Sequence, residues 1–402
     1  MFHFNFYLSY NWLYWTRPTG PPSALPAGIE RSFVQTPQGA IELLCAKPST
    51  TNSSISSKKR TTASTSSSSP PASSKRRRAT SSSSSVSSSS SSSSKRRSTT
   101  TSTPNVVVFA HGGMGSAWVW APYMLYLAEH GVTSYAISTR GHGESWHPSF
   151  LRMLYGVTKR DLGDDLVVGI KAVQGREGGG EIVLVGHSSG GGLSQFLVNE
   201  GDVKVKGLGL LGAVPGNGSY KVYYNWACFD PWFVIRMIFH GWHSNSPLSH
   251  PFLIRQAFFS EEYPEEDLLE FQRHMNRYES FWWPTGMLAP FVNVKKLLRN
   301  ITGWNGSSDR ILIMAGTGDK LMTRDVQIQA AQTYRSAVSD MVGAKKLEPD
   351  DAPVRKLEGE GGKDDSGQGI RLAWVPGAGH HVQNDVQWKV GAAKLLSWLE
   401  QL

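Results

Sequence analysis

Six short apolar runs, each long enough for one buried strand, recur along this chain of 402 residues. Such runs are typical of strands that are covered on both faces of a parallel sheet. Helical sequence separates several of them, and strands that alternate with helices predict an α/β domain with a doubly wound, mostly parallel sheet. The runs are Val106–Ala110, Ser134–Ser138, Glu181–Val185, Val205–Leu211, Arg310–Ala315 and Ile370–Val375.

The other regular elements complete this domain, which we expect at residues 29–47 and 105–402. Ser32–Thr36 and Ala40–Ala46 predict a hairpin that turns at Pro37-Gln38-Gly39. The expected helices are Ala117–Glu129, Arg160–Val173, Gly190–Asn199 and an amphipathic closing helix, Val386–Leu399.

An aromatic-dense stretch at residues 217–300 breaks the alternation and predicts a mostly helical insertion. Most of its rings are expected to form a small core of their own, and some to line an apolar pocket over the sheet edge. Residues 1–28 form an aromatic N-terminal segment of unknown role. It fits a secretory signal poorly, so peripheral contact with a membrane through residues 2–15 and packing on the domain stay open as interpretations.

A Ser/Thr-rich insert at residues 48–104 distorts the composition. It holds 37 Ser or Thr among its 57 residues, with ten Lys or Arg and no acidic residue. The whole chain has 41 basic and 32 acidic residues, so 41 − 10 leaves 31 basic against 32 acidic residues for the remainder. The positive charge belongs to the insert, and we expect no nucleic-acid partner for the folded domain.

The insert buries too little apolar area to offset its chain entropy and is expected to be disordered. Its basic cluster at residues 75–78 is compatible with nuclear import, with an anionic surface or with a plain solvated loop. A second polar stretch at residues 343–369 predicts a surface loop. Two cysteines, Cys45 and Cys228, exclude a disulfide scaffold and a cysteine-rich zinc site. No metal and no cofactor are expected.

The strongest local motif is Gly186-His187-Ser188-Ser189-Gly190, which follows the apolar run Glu181–Val185 and opens a predicted helix. A sharp turn there places the Ser188 hydroxyl above the sheet edge at strained backbone angles, and the glycines avoid collisions across the turn. Ser188 is therefore the candidate nucleophile. The position between strand and helix carries this inference, because the short pattern arises easily by chance.

A glycine-rich run, His111-Gly112-Gly113-Met114-Gly115, directly follows Val106–Ala110. Backbone N–H groups that stabilise an oxyanion must approach it closely, which glycine permits. We expect Gly113 and Ser189 to be the oxyanion-hole donors. A phosphate-binding loop is the alternative, but the glycine spacing and the absence of a following lysine count against it.

Two further strand ends carry an acid and a base. Asp319 follows Arg310–Ala315 and His380 follows Ile370–Val375, although each alone is more often a turn aspartate or an ordinary loop histidine. With Ser188 they share the carboxyl ends of predicted parallel strands, where open α/β sheets place their sites. Serine, acid and histidine in this order predict a Ser188–Asp319–His380 triad.

This set of motifs, with the loop Arg140-Gly141-His142-Gly143-Glu144-Ser145, resembles the α/β-hydrolase fold superfamily over residues 29–47 and 105–402. The resemblance implies a triad, an oxyanion hole and a helical lid after the sixth strand, here about residues 217–300. Ser188 differs from the aspartate that dehalogenases and epoxide hydrolases carry at this turn, which leaves esterases, lipases, carbon–carbon hydrolases and perhydrolases.

The resemblance therefore implies a serine hydrolase that acts without a cofactor on a small ester with an apolar moiety. His380 to Asp385 also matches an H-x4-D pattern of lipid-acting relatives. A lipase or lipid acyltransferase at a membrane is thus an alternative, and a catalytically silent receptor or scaffold is another. No apolar run reaches the length of a bilayer-spanning helix, and a cytoplasmic location is favoured.

Overall fold

The computed structural model describes residues 6–49, 105–304, 309–347, 354–359 and 362–402. The disorder expected for the Ser/Thr-rich insert therefore lies outside the described residues, apart from the first two positions of that insert.

One sheet of ten strands forms the centre of the described part of the chain. In chain order the strands are β1 (Glu30–Gln35), β2 (Ala40–Ala46), β3 (Val106–Ala110), β4 (Ser134–Ile137), β5 (Ile182–His187), β6 (Val205–Leu211), β7 (Ile311–Gly316), β8 (Arg355–Gly359), β9 (Gly362–Gly367) and β10 (Ile370–Val375). Their order across the sheet is β1-β2-β4-β3-β5-β6-β7-β10-β9-β8. The central strands from β4 to β10 pair in parallel, and the outer ones pair antiparallel. The predicted mostly parallel sheet is confirmed.

Helices follow the strands and cover both faces of the sheet. They are α1 (Ala121–Glu129), α2 (Phe150–Gly156), α3 (Lys159–Arg176), α4 (Ser188–Glu200), α5 (Tyr220–Phe229), α6 (Phe233–Phe239), α7 (Pro251–Phe258), α8 (Glu265–His274), α9 (Trp282–Thr285), α10 (Val294–Leu298), α11 (Arg324–Gly343) and α12 (Trp388–Leu399). None of the helices described is both long and apolar enough to cross a bilayer.

Alternation along the strands divides the apolar side chains between two cores. In β5, Ile182 and Leu184 belong to the core that α3, α4 and α11 cover. Val183 and Val185 belong to the core that α1 and α12 cover. Because successive strand residues point to opposite faces, a strand covered on both sides must be apolar throughout. This explains why the central strands stand out so clearly in the sequence.

The surface loop predicted at residues 343–369 is wrong in part. β8 and β9 form an antiparallel hairpin there, and β9 pairs with β10. The polar sequence did not predict this hairpin, because backbone hydrogen bonds rather than apolar side chains hold it at the edge of the sheet. Its buried Asp364 accepts two hydrogen bonds from Lys394 on α12, at 2.7 and 2.8 Å, so a charged pair takes the place of apolar contacts.

Residues 217–300, here called the helical insertion, follow β6 and contain α5 to α10. The N-terminal segment packs against this insertion over its described part. The Phe6 ring lies 5.6 Å from that of Trp232, the Tyr10 hydroxyl donates to the Phe239 carbonyl at 2.8 Å, and the Tyr14 carbonyl pairs with His243 at 2.9 Å. Packing on the domain is thus observed for this segment, whereas its contact with a membrane stays a prediction.

Candidate active site

The site lies where the chain changes direction across the sheet. β3 sits between β4 and β5, so the loops after β3 and β5 meet at its carboxyl edge, the usual place for a site in such sheets. The two loops touch closely. A Cβ atom on Gly190 would lie 2.0 Å from the His111 carbonyl oxygen, so only glycine fits at this position.

Ser188 stands at the turn between β5 and α4. Its φ of +54° is in the left-handed region that side-chain-bearing residues rarely adopt. The Ser188 carbonyl accepts a hydrogen bond from the Val214 N–H at 3.0 Å, which ties this turn to the loop after β6. The surrounding sheet therefore holds Ser188 in the strained, half-buried position that the sequence predicts for a nucleophile.

Asp319 and His380 converge on Ser188 from the ends of two other strands. The His380 Nε2 lies 2.9 Å from the Ser188 Oγ, and its Nδ1 lies 2.9 Å from an Asp319 carboxylate oxygen. An ionised carboxylate can only accept, so Nδ1 carries the proton and Nε2 is left to accept from the serine hydroxyl. Three side chains separated by up to 192 positions thus form one chain of hydrogen bonds.

Asp319 makes both kinds of contact that the sequence left open. One of its carboxylate oxygens accepts hydrogen bonds from the N–H groups of Leu321 and Met322, each at 2.8 Å, as a turn aspartate does. The other oxygen faces His380. Since the turn fixes the carboxylate, Asp319 can orient the imidazole without moving itself.

Two neighbouring histidines support His380 from behind. His187 pairs with the His380 backbone carbonyl through its Nε2 at 3.0 Å. Burial, followed by the charges of His381 and His380, holds the pKa of His187 well below its usual value, so the ring is a neutral donor. The His381 ring lies 4.8 Å from that of Phe258, and its Nδ1 lies 3.2 Å from the Asn384 side-chain oxygen.

The predicted oxyanion donors are adjacent. The Gly113 N–H donates to the side-chain oxygen of Ser189 at 2.8 Å, so a hydroxyl occupies this donor in the present conformation. The Ser189 N–H lies in the first turn of α4, where backbone N–H groups have no partner within the helix. Gly113 and Ser189 line the same cavity as Ser188.

A buried carboxylate that the sequence analysis missed, that of Glu279, holds the glycine-rich loop after β3. Glu279, from the helical insertion, accepts from the Met114 N–H at 2.9 Å and from the His142 Nε2 at 2.9 Å. The His142 Nδ1 lies 2.8 Å from the Arg140 carbonyl, so both ring nitrogens face acceptors. Burial alone would lower the pKa of His142, but the charge and hydrogen bond of Glu279 raise it above the usual value. His142 and Glu279 therefore form a buried hydrogen-bonded pair.

Glu279 carried no detectable sequence signal. It lies 137 positions from His142, in a stretch where only the aromatic density is unusual. The loop that contains its partner His142 did carry a signal, the motif Arg140-Gly141-His142-Gly143-Glu144-Ser145. Arg140 there is fixed by Asp165, which accepts from its Nε at 2.7 Å and from its Nη2 at 2.8 Å.

A cavity of about 140 Å³, here called the Ser188 cavity, opens onto Ser188 and His380. Its walls are mostly apolar and come largely from the helical insertion. They include Val222, Trp226, Phe258, Trp283 and Met287, with Glu279 as the acidic exception. A larger groove of about 750 Å³ lies outside it and contains none of the three converging residues, so we place the chemistry in the smaller cavity.

Residues 107–387 match the family model described as the alpha/beta hydrolase family. The chain belongs to the alpha/beta hydrolase family. Solved structures of similar fold include a lipase candidate, Lip1, from Acinetobacter baumannii AYE, with 13% identity, a TM-score of 0.51 and 93% of each chain covered. Carboxylesterase CesB from Bacillus subtilis has 15% identity and a TM-score of 0.50, again with 93% of each chain covered. A membrane phospholipase A has 13% identity and a TM-score of 0.50, with 93% of this chain and 86% of that chain covered.

At such low identity these structures establish the alpha/beta hydrolase fold alone.

Proposed function

We propose that this alpha/beta hydrolase is a serine esterase that cleaves a carboxylic ester with an apolar moiety. The observation that carries the proposal is the continuous hydrogen-bond chain from Ser188 through His380 to Asp319, at the edge of an apolar cavity. In this role Ser188 is the nucleophile, His380 the general base and acid, and Asp319 the residue that fixes the imidazole.

Acylation begins when the ester carbonyl lies beside the Ser188 Oγ. His380 takes the serine proton through Nε2 while the oxygen attacks the carbonyl carbon, and Asp319 stabilises the imidazolium that forms. His380 then donates this proton to the departing alcohol oxygen, so the acyl group stays on Ser188. Water, deprotonated by the same Nε2, attacks the acyl-enzyme; the bond from the acyl carbon to the Ser188 Oγ then breaks, His380 returns the proton to Oγ, and the acid is released.

The carbonyl oxygen becomes an oxyanion at both tetrahedral intermediates. The N–H groups of Gly113 and Ser189 are the proposed donors, and the Ser189 side-chain hydroxyl must turn away from Gly113 before the oxyanion can take its place. Losing one such donor typically raises the barrier by roughly 3–4 kcal/mol. Glu279 and Met114 would hold the loop in position without touching the oxyanion.

Labelling with a fluorophosphonate probe tests the proposal. The purified full-length protein should react at Ser188, and Ser188→Ala should abolish both labelling and hydrolysis of p-nitrophenyl butyrate. Ser194→Ala is a matched control, because Ser194 is a buried serine on the same helix whose hydroxyl bonds the Gly190 carbonyl. Equal labelling of the wild-type and Ser188→Ala proteins contradicts the proposal. A protein that binds esters without turnover would instead be a silent receptor.

A lipase or lipid acyltransferase at a membrane is the second candidate. The exposed aromatic residues Tyr10 and Trp15 of the N-terminal segment favour it. This candidate predicts release of fatty acid from phosphatidylcholine vesicles faster than hydrolysis of soluble short esters, or transfer of the acyl group to an added lipid alcohol. Faster turnover of the soluble esters, with no transfer, supports the esterase.

A further inference from the structure

The Ser188 cavity has a definite capacity. Its volume is about 140 Å³, and an apolar protein cavity of about 150 Å³ holds one benzene molecule. The space beside the nucleophile therefore takes a group of about six non-hydrogen atoms. A long acyl chain exceeds this space unless the walls move.

The walls are set by large buried side chains. Trp283 is 1% exposed and Met287 is 0% exposed, so apart from the faces that border the cavity both are buried in the protein. The rings of Trp283 and His142 meet edge to face, with their centroids 5.8 Å apart. This contact links Trp283 to the buried pair of His142 and Glu279. Met287 packs so closely on α4 that a Cβ on Gly192 would lie 2.7 Å from its sulfur. Close-packed interiors resist such displacement, so the cavity has little room to grow.

The polarity of the walls excludes anions. None of the described residues that line the cavity is Lys or Arg. Its carboxylate, Glu279, is hydrogen-bonded to the buried His142, and the walls therefore offer a negatively charged substrate group no lysine or arginine as a partner. Burying an anion without a partner in such a space is strongly unfavourable, and the nearby carboxylate adds repulsion.

We propose that the ester half that enters the Ser188 cavity is an uncharged apolar group of about six non-hydrogen atoms, such as a short alkyl chain or one aromatic ring. The substrate class is then a neutral short-chain or benzoate-like ester, not a long-chain acylglycerol or the monoester of a dicarboxylic acid. This inference rests on the proposed esterase function of Ser188.

Two series of esters determine which half of the ester, acyl or alcohol, enters the Ser188 cavity and how large that half can be. The first keeps p-nitrophenol and lengthens the acyl group from acetate through butyrate, hexanoate and octanoate to dodecanoate, with benzoate added. The second keeps acetate and lengthens the alkyl alcohol over the same range. In one series kcat/KM should fall by about 10-fold or more once the varied group exceeds about six carbons. If kcat/KM keeps rising to dodecanoate in the first series and to dodecyl in the second, the size limit is wrong.

Two truncations show whether the cavity itself sets the limit. Met287→Ala enlarges the cavity and should move the limit to longer chains. Leu268→Ala is the matched control, because Leu268 is fully buried in the same insertion but does not line the cavity. Both variants should lose thermal stability, and only Met287→Ala should change the chain-length profile. A profile that Met287→Ala leaves unchanged overturns the assignment of this cavity.

A terminal carboxylate tests the polarity. In the series that shows the limit, monoethyl adipate is compared with ethyl hexanoate, or 6-acetoxyhexanoate with hexyl acetate. The anionic ester should react at least about 100-fold more slowly, and equal rates overturn the inference. If the esterase proposal itself is wrong, the result is different: the fluorophosphonate probe does not label Ser188, and no ester in either series is cleaved.

Discussion

The carboxylate of Asp385 accepts two hydrogen bonds from Ser260, at 2.8 Å from the backbone N–H and 2.7 Å from the hydroxyl. It also accepts from the Gly379 N–H at 2.7 Å, one residue before His380. Ser260 follows α7 of the helical insertion, so Asp385 joins this insertion to the loop that carries the proposed base. The aspartate of the H-x4-D pattern therefore has a positioning role here, and it does not line the Ser188 cavity.

Asp385→Asn should lower both stability and catalysis. The amide replaces one acceptor oxygen with an N–H2 group that faces N–H donors, so we expect a loss of about 2–3 kcal/mol in the free energy of unfolding. Displacement of the His380 loop should lower kcat more than it changes KM. Urea unfolding and ester kinetics measure the two effects. Ser260→Ala removes only the hydroxyl and should cost about 1 kcal/mol with kcat almost unchanged; equal effects of the two variants would argue against this role.

Ser189→Ala should strengthen the proposed oxyanion hole. The Ser189 hydroxyl now occupies the Gly113 N–H, and displacing it costs about 1 kcal/mol, the net value of an ordinary hydrogen bond. Without the hydroxyl, kcat/KM and the affinity for an alkyl boronate should each rise about 5-fold. A 10-fold fall would instead mean that this hydroxyl donates to the oxyanion. Ser194→Ala, on the same helix, should leave both quantities unchanged.

The central sheet and the converging residues could be predicted because each leaves a local signal. A strand covered on both faces must be apolar along its length, as Ile182–His187 is, and the turn at Ser188 requires glycine on both sides. Chain order then suggested that Asp319 and His380 meet Ser188. These signals need no knowledge of how distant segments pack.

The residues that shape the cavity could not be predicted in this way. Glu279 acquires its role only when the helical insertion folds over two core loops, and a lone glutamate in an aromatic stretch shows none of this. The hairpin of β8 and β9 escaped detection because a charged pair, Asp364 with Lys394, replaces the apolar alternation of an ordinary strand. The size of the Ser188 cavity likewise depends on distant side chains such as Met287.

Stability should fall in mild acid because of His381. This side chain is 2% exposed, and burial, with a smaller contribution from the charge of His380, lowers its pKa to about 3. In the unfolded chain the pKa of His381 is about 6.5, so between pH 6.5 and 3 the unfolded state binds a proton that the folded state does not. The stabilisation is present above pH 6.5 and is lost as the pH falls toward 3.

At pH 5 this loss amounts to about 2 kcal/mol relative to pH 7. His381→Gln removes the titration, so the free energy of unfolding should depend less steeply on pH between 7 and 5, even if the variant is less stable at pH 7. Urea unfolding at several pH values measures the slope. His130→Gln, which replaces an exposed histidine, is the matched control. An unchanged slope in His381→Gln would show that other groups cause the acid sensitivity.

Two leucines of the N-terminal segment distinguish membrane contact through residues 2–15 from packing of that segment on the domain. Leu8 is 41% exposed, whereas Leu13 is 5% exposed. If the exposed side chains enter a bilayer, Leu8→Ser should weaken binding to phosphatidylcholine vesicles by about 10-fold and leave the melting temperature unchanged, because it removes apolar area from the lipid contact alone. Leu13→Ser should lower the melting temperature by several degrees, since it places a hydroxyl in a packed site.

Vesicles of phosphatidylcholine alone are needed for this comparison, because the ten Lys and Arg of the Ser/Thr-rich insert would bind anionic lipid by charge. Co-flotation with the vesicles measures binding, and a thermal melt of each variant measures packing. A wild-type protein that does not float, or a Leu8→Ser variant that floats as well as wild type, would show that the segment serves only to cover the helical insertion.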